Sequence, residues 1–231
     1  MHFTDSDALP IFGISEIAHA LSCKKGGLVS IRHNDVRDEA GALASHALQA
    51  SKVTYEPLIN NGRGLNDATQ RRGTQGSGNQ AGKEARGNVL VYGLWETGTS
   101  CVLDVCILDT DQPSYKDDSS KKVLEAHVKR KKNKYLQACL DRRRSFTPLV
   151  YSVDGMACRE ARSFEKRIAS LLADKWEGSY SKLVGYVRGR MAMSILRSNN
   201  ACLRGARVKN RTVPWVADSV EYEATRGWTE G

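Results

Sequence analysis

The sequence has no apolar run approaching the length of a bilayer span, and no apolar stretch follows Met1 as a secretory leader would require. A soluble intracellular protein, nuclear or cytoplasmic and without a membrane partner, is therefore expected. The six cysteines (Cys23, Cys101, Cys106, Cys139, Cys158, Cys202) include no CxxC pair. That spacing speaks against a disulfide framework and for free thiols, several of them buried. There is no internal repeat. Gly76-Ser77-Gly78 lacks the lysine and the strand–helix setting of a phosphate-binding loop. Acidic residues are in deficit, 26 Asp and Glu against 35 Lys and Arg, for a formal charge of +9. A chain so charged favours a polyanionic partner, nucleic acid before anionic membrane. With 40% hydrophobic residues it can still build a core, and 231 residues suffice for one domain of ordinary size.

Most of the excess charge lies between Lys116 and Arg144, with eleven Lys and Arg against four Asp and Glu. Upstream, Val36, Ala40, Leu43 and Ala47 recur at helical spacing and predict a helix over His33–Leu48. Val53–Tyr55 reads as a short strand ended by Pro57. From Asn60 to Gly87 the chain is rich in Gly, Asn, Gln and Arg, with Leu65 its only large apolar residue. Such a stretch cannot offset its ordering entropy and is expected to be a long mobile loop. Val89–Trp95 and Cys101–Leu108 predict two strands joined tightly through Glu96-Thr97-Gly98-Thr99. A basic helix over Lys121–Arg143, a strand over Thr147–Val153 closed by Asp154-Gly155, and two apolar-striped helices follow. The first stripe is Ala157, Ala161, Phe164, Ile168, Leu171 and Lys175, with Leu172 and Trp176 beside it. The second is Tyr180, Leu183, Val187, Met191 and Ile195, with Met193 near that face. The order predicts an α/β fold with a small mixed sheet.

Asp104 stands in the middle of an apolar strand, Leu103-Asp104-Val105-Cys106-Ile107, where an unpaired carboxylate is costly. A metal ion or a lysine ammonium would satisfy it. So would a plain structural salt bridge. Lys131, Lys134 and Tyr135, at i, i+3 and i+4, share one face of the basic helix, which otherwise reads as a solvated surface. His127 carries no signal of its own.

The ordered set Arg32-His33-Asn34, Arg86-Gly87-Asn88, Asp104-Val105-Cys106-Ile107 and Lys131 to Tyr135 resembles the restriction-like (PD-(D/E)XK-type) endonuclease domain at the C-terminal end of certain non-LTR retrotransposon reverse transcriptases. Short reading frames that follow reverse transcriptases in many eukaryotic genomes are also similar. They share Cys23 to Val29, Phe146-Thr147-Pro148-Leu149-Val150, Ala173-Asp174-Lys175-Trp176 and Cys202-Leu203-Arg204-Gly205. The likeness covers about His19 to Arg207. It implies a restriction-endonuclease-like αβββαβ core with two additional C-terminal helices. The implied division is an N-terminal segment over 1–31, an endonuclease-like domain over 32–208 containing the loop 60–87, and a tail over 209–231.

The resemblance further implies a metal-dependent DNA endonuclease using Mg²⁺ or Mn²⁺, with Asp104 as central metal ligand, Asn88 as second ligand and Lys131 as catalytic lysine. Lys129, Arg130, Lys132, Lys134, Arg142, Arg143, Arg144, Arg32 and His33 are the expected DNA contacts. The implied partners are target-site DNA and a separately encoded reverse transcriptase. Two departures stand out. The family places Asp where this chain has Asn88, and an amide brings no charge to a divalent cation. The family's upstream zinc knuckle survives only as His19 and Cys23, two of the four ligands a structural zinc needs, so no intact zinc site is expected. The alternative to cleavage is a non-catalytic nucleic-acid-binding remnant of that domain.

Overall fold

The computed structural model describes residues 19–23, 27–60 and 85–206. The N-terminal segment up to 18, the interior of the expected long loop and the tail beyond 206 lie outside the described residues. Helix α1 spans Leu28–Ala47, followed by short strands β1 (Val53–Tyr55), β2 (Leu58–Asn60) and β3 (Ala85–Arg86). Strands β4 (Val89–Tyr92) and β5 (Ser100–Leu108) then lead into helix α2 (Ser120–Leu140), strand β6 (Arg144–Ser152), and helices α3 (Arg159–Trp176) and α4 (Tyr180–Ala206). The protein is thus mixed α/β.

The main sheet has the order β1-β4-β5-β6. Its first two pairings are antiparallel, and β5–β6 is parallel in unbroken register from Ser100–Arg144 to Leu108–Ser152. Parallel neighbours need a crossover, and α2 provides it. Pro148 in β6 lacks an N–H, which restricts it to an edge strand, and β6 is at the edge. The outward-facing polar groups of β6 are instead met by the chain beyond it. Ser152 N–H donates to Met156 O, and Cys158 N–H donates to Val150 O, both at 2.9 Å.

Odd-numbered residues of β4 and β5 (Val89, Val91, Cys101, Leu103, Val105) pack with Val36, Ala40 and Leu43 of α1 and with Phe164, Ile168 and Leu172 of α3. The even-numbered Val102, with Phe146 of β6, turns the other way onto Cys139, Tyr135 and Leu136 of α2. Asp104 has the same parity as Val102, so it faces α2. α2 begins where the Ser119 hydroxyl accepts from the Lys122 N–H. In α3 the Cys158 thiol takes that role toward the Ala161 N–H at 3.3 Å.

Several boundaries differ from the sequence reading. α1 starts five residues before His33 and runs through the expected boundary at 31/32, because its first buried position is the charged Arg32. β4 stops at Tyr92, three residues short of Trp95. Gly93, at φ 77°, turns the chain out of the sheet, and the Arg167 guanidinium then donates to Leu94 O at 2.7 Å. α4 continues past Ile195 to Ala206 because its buried stripe proceeds to Cys202 through Ser198 and Asn199, two polar residues that interrupt the apolar signal. Tyr180 and Met193 are not on the core face: they are 47% and 46% exposed. The ends of the expected loop are ordered, Leu58 pairing with Arg86 and Asn60 with Ala85. All six cysteines are free thiols, and Cys101, Cys139, Cys158 and Cys202 are buried. Among the described residues no helix is long and apolar enough to cross a membrane.

Gly87 is where β3 gives way to β4. A methyl group there would strike the Val102 side chain and come within 3.2 Å of Ile59 Cδ1. Only hydrogen lets this strand lie so close to β5. Gly87→Ala should therefore cost about 1–3 kcal/mol, the usual penalty of overpacking, seen as a lower urea midpoint at unchanged m-value.

Candidate functional site

Asp104 and Lys131 meet across the β5–α2 interface, with Lys131 Nζ 2.8 Å from Asp104 Oδ2. The Asp104 side chain is only 6% exposed and that of Lys131 22%. The contact is a charge-assisted one, and Oδ2 has no other polar partner. Burial works against the lysine's charge, but the adjacent Asp104 carboxylate outweighs it and lifts the Lys131 pKa above its usual value. Cys106, two residues along the same strand face, sits half-buried beside this pair; burial pushes its thiol up.

Asn88 lies just before β4, its N–H donating to Leu103 O at 3.1 Å. Its side-chain oxygen is engaged twice. It accepts from the Val105 N–H at 2.5 Å and faces His33 Nε2 at 3.2 Å. A backbone N–H can only donate, so the amide orientation is fixed, and His33 must carry its hydrogen on Nε2. Asn88 thus spans from β4 to the peptide that follows Asp104, and α1 reaches it through His33.

The expected DNA contacts separate into groups. Lys129, Arg130, Lys134 and Arg143 are exposed. Lys132 is held at 2.6 Å by Glu160 of α3. Arg142 and Arg144 both donate to Leu58 O, at 3.2 and 3.0 Å, anchoring β2 to the α2–β6 junction. Arg32 is a correction. At 2% exposure it is an internal strut, its Nη1 donating to Asn199 Oδ1 at 3.2 Å, and it offers no surface for a phosphate. Burial, partly opposed by the nearby Cys202 and Asp109, lowers its pKa. Tyr135 packs on Phe146 at 5.8 Å between centroids, with the Lys134 ammonium 4.7 Å from its own ring centroid, which makes it a packing residue.

Glu160 and His127 were not singled out by sequence. Glu160 is 28 residues from Lys132 and no local pattern joins them. His127 had a visible cue, its i,i+3 spacing to Arg130. Arg130 Nη2 donates to His127 Nδ1 at 2.9 Å, which leaves Nε2–H to donate to the Tyr115 hydroxyl at 3.0 Å. Burial first, then Arg130 and Lys131, depress the His127 pKa. An NMR titration should accordingly find this imidazole protonating below the ordinary value of about 6.5. Its folded pKa being lowered, the associated stability is present above that ordinary value and lost as pH falls through the depressed one. A His127 resonance that titrates at or above 6.5 would contradict the arrangement.

Asp109 and Asp111 do not complete a carboxylate cluster. Asp109 Oδ1 accepts from the Asp111 N–H at 3.0 Å, a local turn beyond the end of β5. Among the described residues no three His, Cys, Asp or Glu side chains come together as a metal-holding group. No protein-family model matches the chain, and no curated protein matches it.

Proposed function

We propose that this chain is a nucleic-acid-binding domain built on a restriction-endonuclease-like αβββαβ core, with its cleavage centre converted to an internal ion pair. The observation that carries this reading is the state of the two expected ligands. Asp104 faces the Lys131 ammonium, and the Asn88 oxygen is taken up by the Val105 N–H and His33. One carboxylate and one engaged amide do not fit a hard divalent cation, which takes several oxygen ligands and favours anionic ones. Magnesium or manganese therefore has no complete seat here as the chain stands. The basic surface is retained: Lys129, Arg130 and Lys134 project from one stretch of α2, with Arg143 in the turn that follows.

Binding through this surface is electrostatic and largely independent of base sequence. With three or four phosphates neutralised, affinity for a DNA duplex should fall by roughly 40-fold to 150-fold as salt rises fourfold. Fluorescence anisotropy at 50 and 200 mM salt measures this. A flat salt response would remove the proposal, and so would undiminished binding by a Lys129→Glu/Arg130→Glu/Lys134→Glu variant.

One observation favours the second reading, a metal-dependent DNA endonuclease. Asp104 Oδ2 is a buried carboxylate oxygen facing a lysine in the middle of a strand, with no other polar partner. In a nuclease of this class such an oxygen would hold the metal, and the lysine would support charge developing on the phosphate. A nicking assay on supercoiled DNA with Mg²⁺ or Mn²⁺ decides between the two.

A further inference from the structure

A recess of about 250 Å³ opens between the first turns of α2 and the start of α3. Its interior is apolar, made by Leu124, Met156, Ala157 and Cys158. Its rim is cationic: Lys121, Arg159 and Arg162 stand against a single acid, Glu125. Lys121 approaches that acid only at 4.0 Å, with both side chains well exposed. Met156 is 42% exposed although it is a large apolar side chain in a chain with a full core. Apolar walls under a ring of cations suit a flat apolar body that carries negative charge.

The recess borders one flank of α2. Glu160, the neighbour of Arg159, is the residue that pairs with Lys132 at 2.6 Å. Lys121, Glu125 and Lys132 follow one another along α2 at intervals of four and seven residues, so the recess and Lys132 share one helix face. Of the exposed basic residues of α2, Lys129 is nearest that face, while Arg130 and Lys134 are turned to the other side of the helix. A base taken out of the duplex is held by stacking on aromatic or apolar side chains, with cations on the adjoining phosphates.

We infer that this recess takes an unpaired nucleotide, its base against Met156 and Ala157 and its phosphate toward Arg159 and Arg162. The preferred ligand is then a duplex bearing a single-stranded nucleotide. This inference rests on the nucleic-acid-binding reading, and its test separates the two.

Three ligands of matched length are compared by anisotropy at one salt concentration: a blunt duplex, the duplex with one unpaired thymidine, and the duplex with an abasic unit in its place. The abasic unit keeps the phosphate and removes the base. The expected result is binding at least about fivefold tighter for the unpaired thymidine than for the abasic ligand. Met156→Ser and Arg159→Gln, both changes at exposed side chains, should each reduce that ratio while leaving the blunt duplex within about twofold. Equal affinity for the thymidine and abasic ligands, with the blunt duplex still bound, would overturn the recess alone. So would a ratio unchanged in both variants. Failure of all three ligands to bind would overturn the nucleic-acid reading together with it.

Discussion

Replacing Lys131 with methionine should destabilise the protein by about 3 kcal/mol, because it leaves a carboxylate buried and uncompensated. Asp104 sits at 4% exposure within the strand β5, and its Oδ2 has no partner other than the lysine. Its register neighbour across the sheet is Pro148, which has no N–H to offer. Methionine keeps the length of the lysine stem, so the loss reports charge more than shape. In a domain of this size the change corresponds to a drop in Tm of roughly 6–12 °C. The double variant Asp104→Asn/Lys131→Met should recover most of it, since removing both charges removes the desolvation cost along with the attraction. Thermal denaturation of the two variants is the measurement. A single variant within about 1 kcal/mol of the parent would mean that the pair is solvated and structurally idle.

The pair also has a defined pH dependence. The folded protein holds the Lys131 proton more tightly than an unfolded chain does. The corresponding stability is complete below the ordinary lysine pKa and is lost as pH rises through the raised value. Divalent cations add a second discriminating arm. If Asp104 held a metal, Mg²⁺ or Mn²⁺ would stabilise Lys131→Met preferentially, by ordinary mass action on the folded state. On the ion-pair reading the two melting temperatures move alike.

The elements that were legible in the sequence are those whose burial is written in apolar side chains. β5 and α3 were read to within two residues, because Val, Leu, Ile and Phe mark their inner faces, and Val53–Tyr55 was read with its observed bounds from its β-branched and aromatic residues, none of which is buried. What escaped notice was buried in polar or small form. The first turn of α1 hangs on Arg32, and the last three turns of α4 on Ser198, Asn199 and Cys202. Arg32, Asn199 and Cys202 find their partners far away in sequence, Arg32 with Asn199 across 167 positions, whereas the Ser198 hydroxyl turns back onto the carbonyls of Ser194 and Ile195. The short strands β2 and β3 make only a few ladder bonds between residues on either side of a long polar stretch, and a window of neighbours cannot show that pairing.

At the site, the meeting of Asp104 with Lys131 was foreseeable from a lone acid in an apolar strand followed by a basic helix. The engagement of Asn88 with Val105 and His33 was not, since it depends on the depth at which Gly87 seats β4 against β5. Exposure sorted the basic residues in a way that charge counting cannot. Arg142 and Arg144 secure the Leu58 carbonyl, while Lys129, Arg130 and Lys134 remain on the surface.

Asn88→Asp is the substitution that tests the proposed conversion of a cleavage centre by one residue. The two donors now on the amide oxygen, the Val105 N–H and His33 Nε2, suit a carboxylate oxygen equally well. Aspartate is nearly isosteric and can keep those bonds with one oxygen. Its second oxygen then replaces the amide nitrogen, adding a full negative charge one residue from Asp104 along β5. Without metal the two acids repel, and at least one pKa rises. With Mg²⁺ or Mn²⁺ they supply the anionic oxygens that a hard cation requires, and Lys131 is released toward the phosphate. The expected outcome has two parts. Mn²⁺ should raise the Tm of Asn88→Asp but not of the parent. Nicking of supercoiled DNA should rise on the order of a hundredfold, the scale on which one charge-stabilising group acts at a reacting centre. Asp104→Ala in the same background should return both to the parental level. A folded, DNA-binding Asn88→Asp protein that neither gains a metal-dependent Tm nor nicks faster would show that the centre is closed by more than its missing acid. The Asp104–Lys131 pair would then be its settled structure.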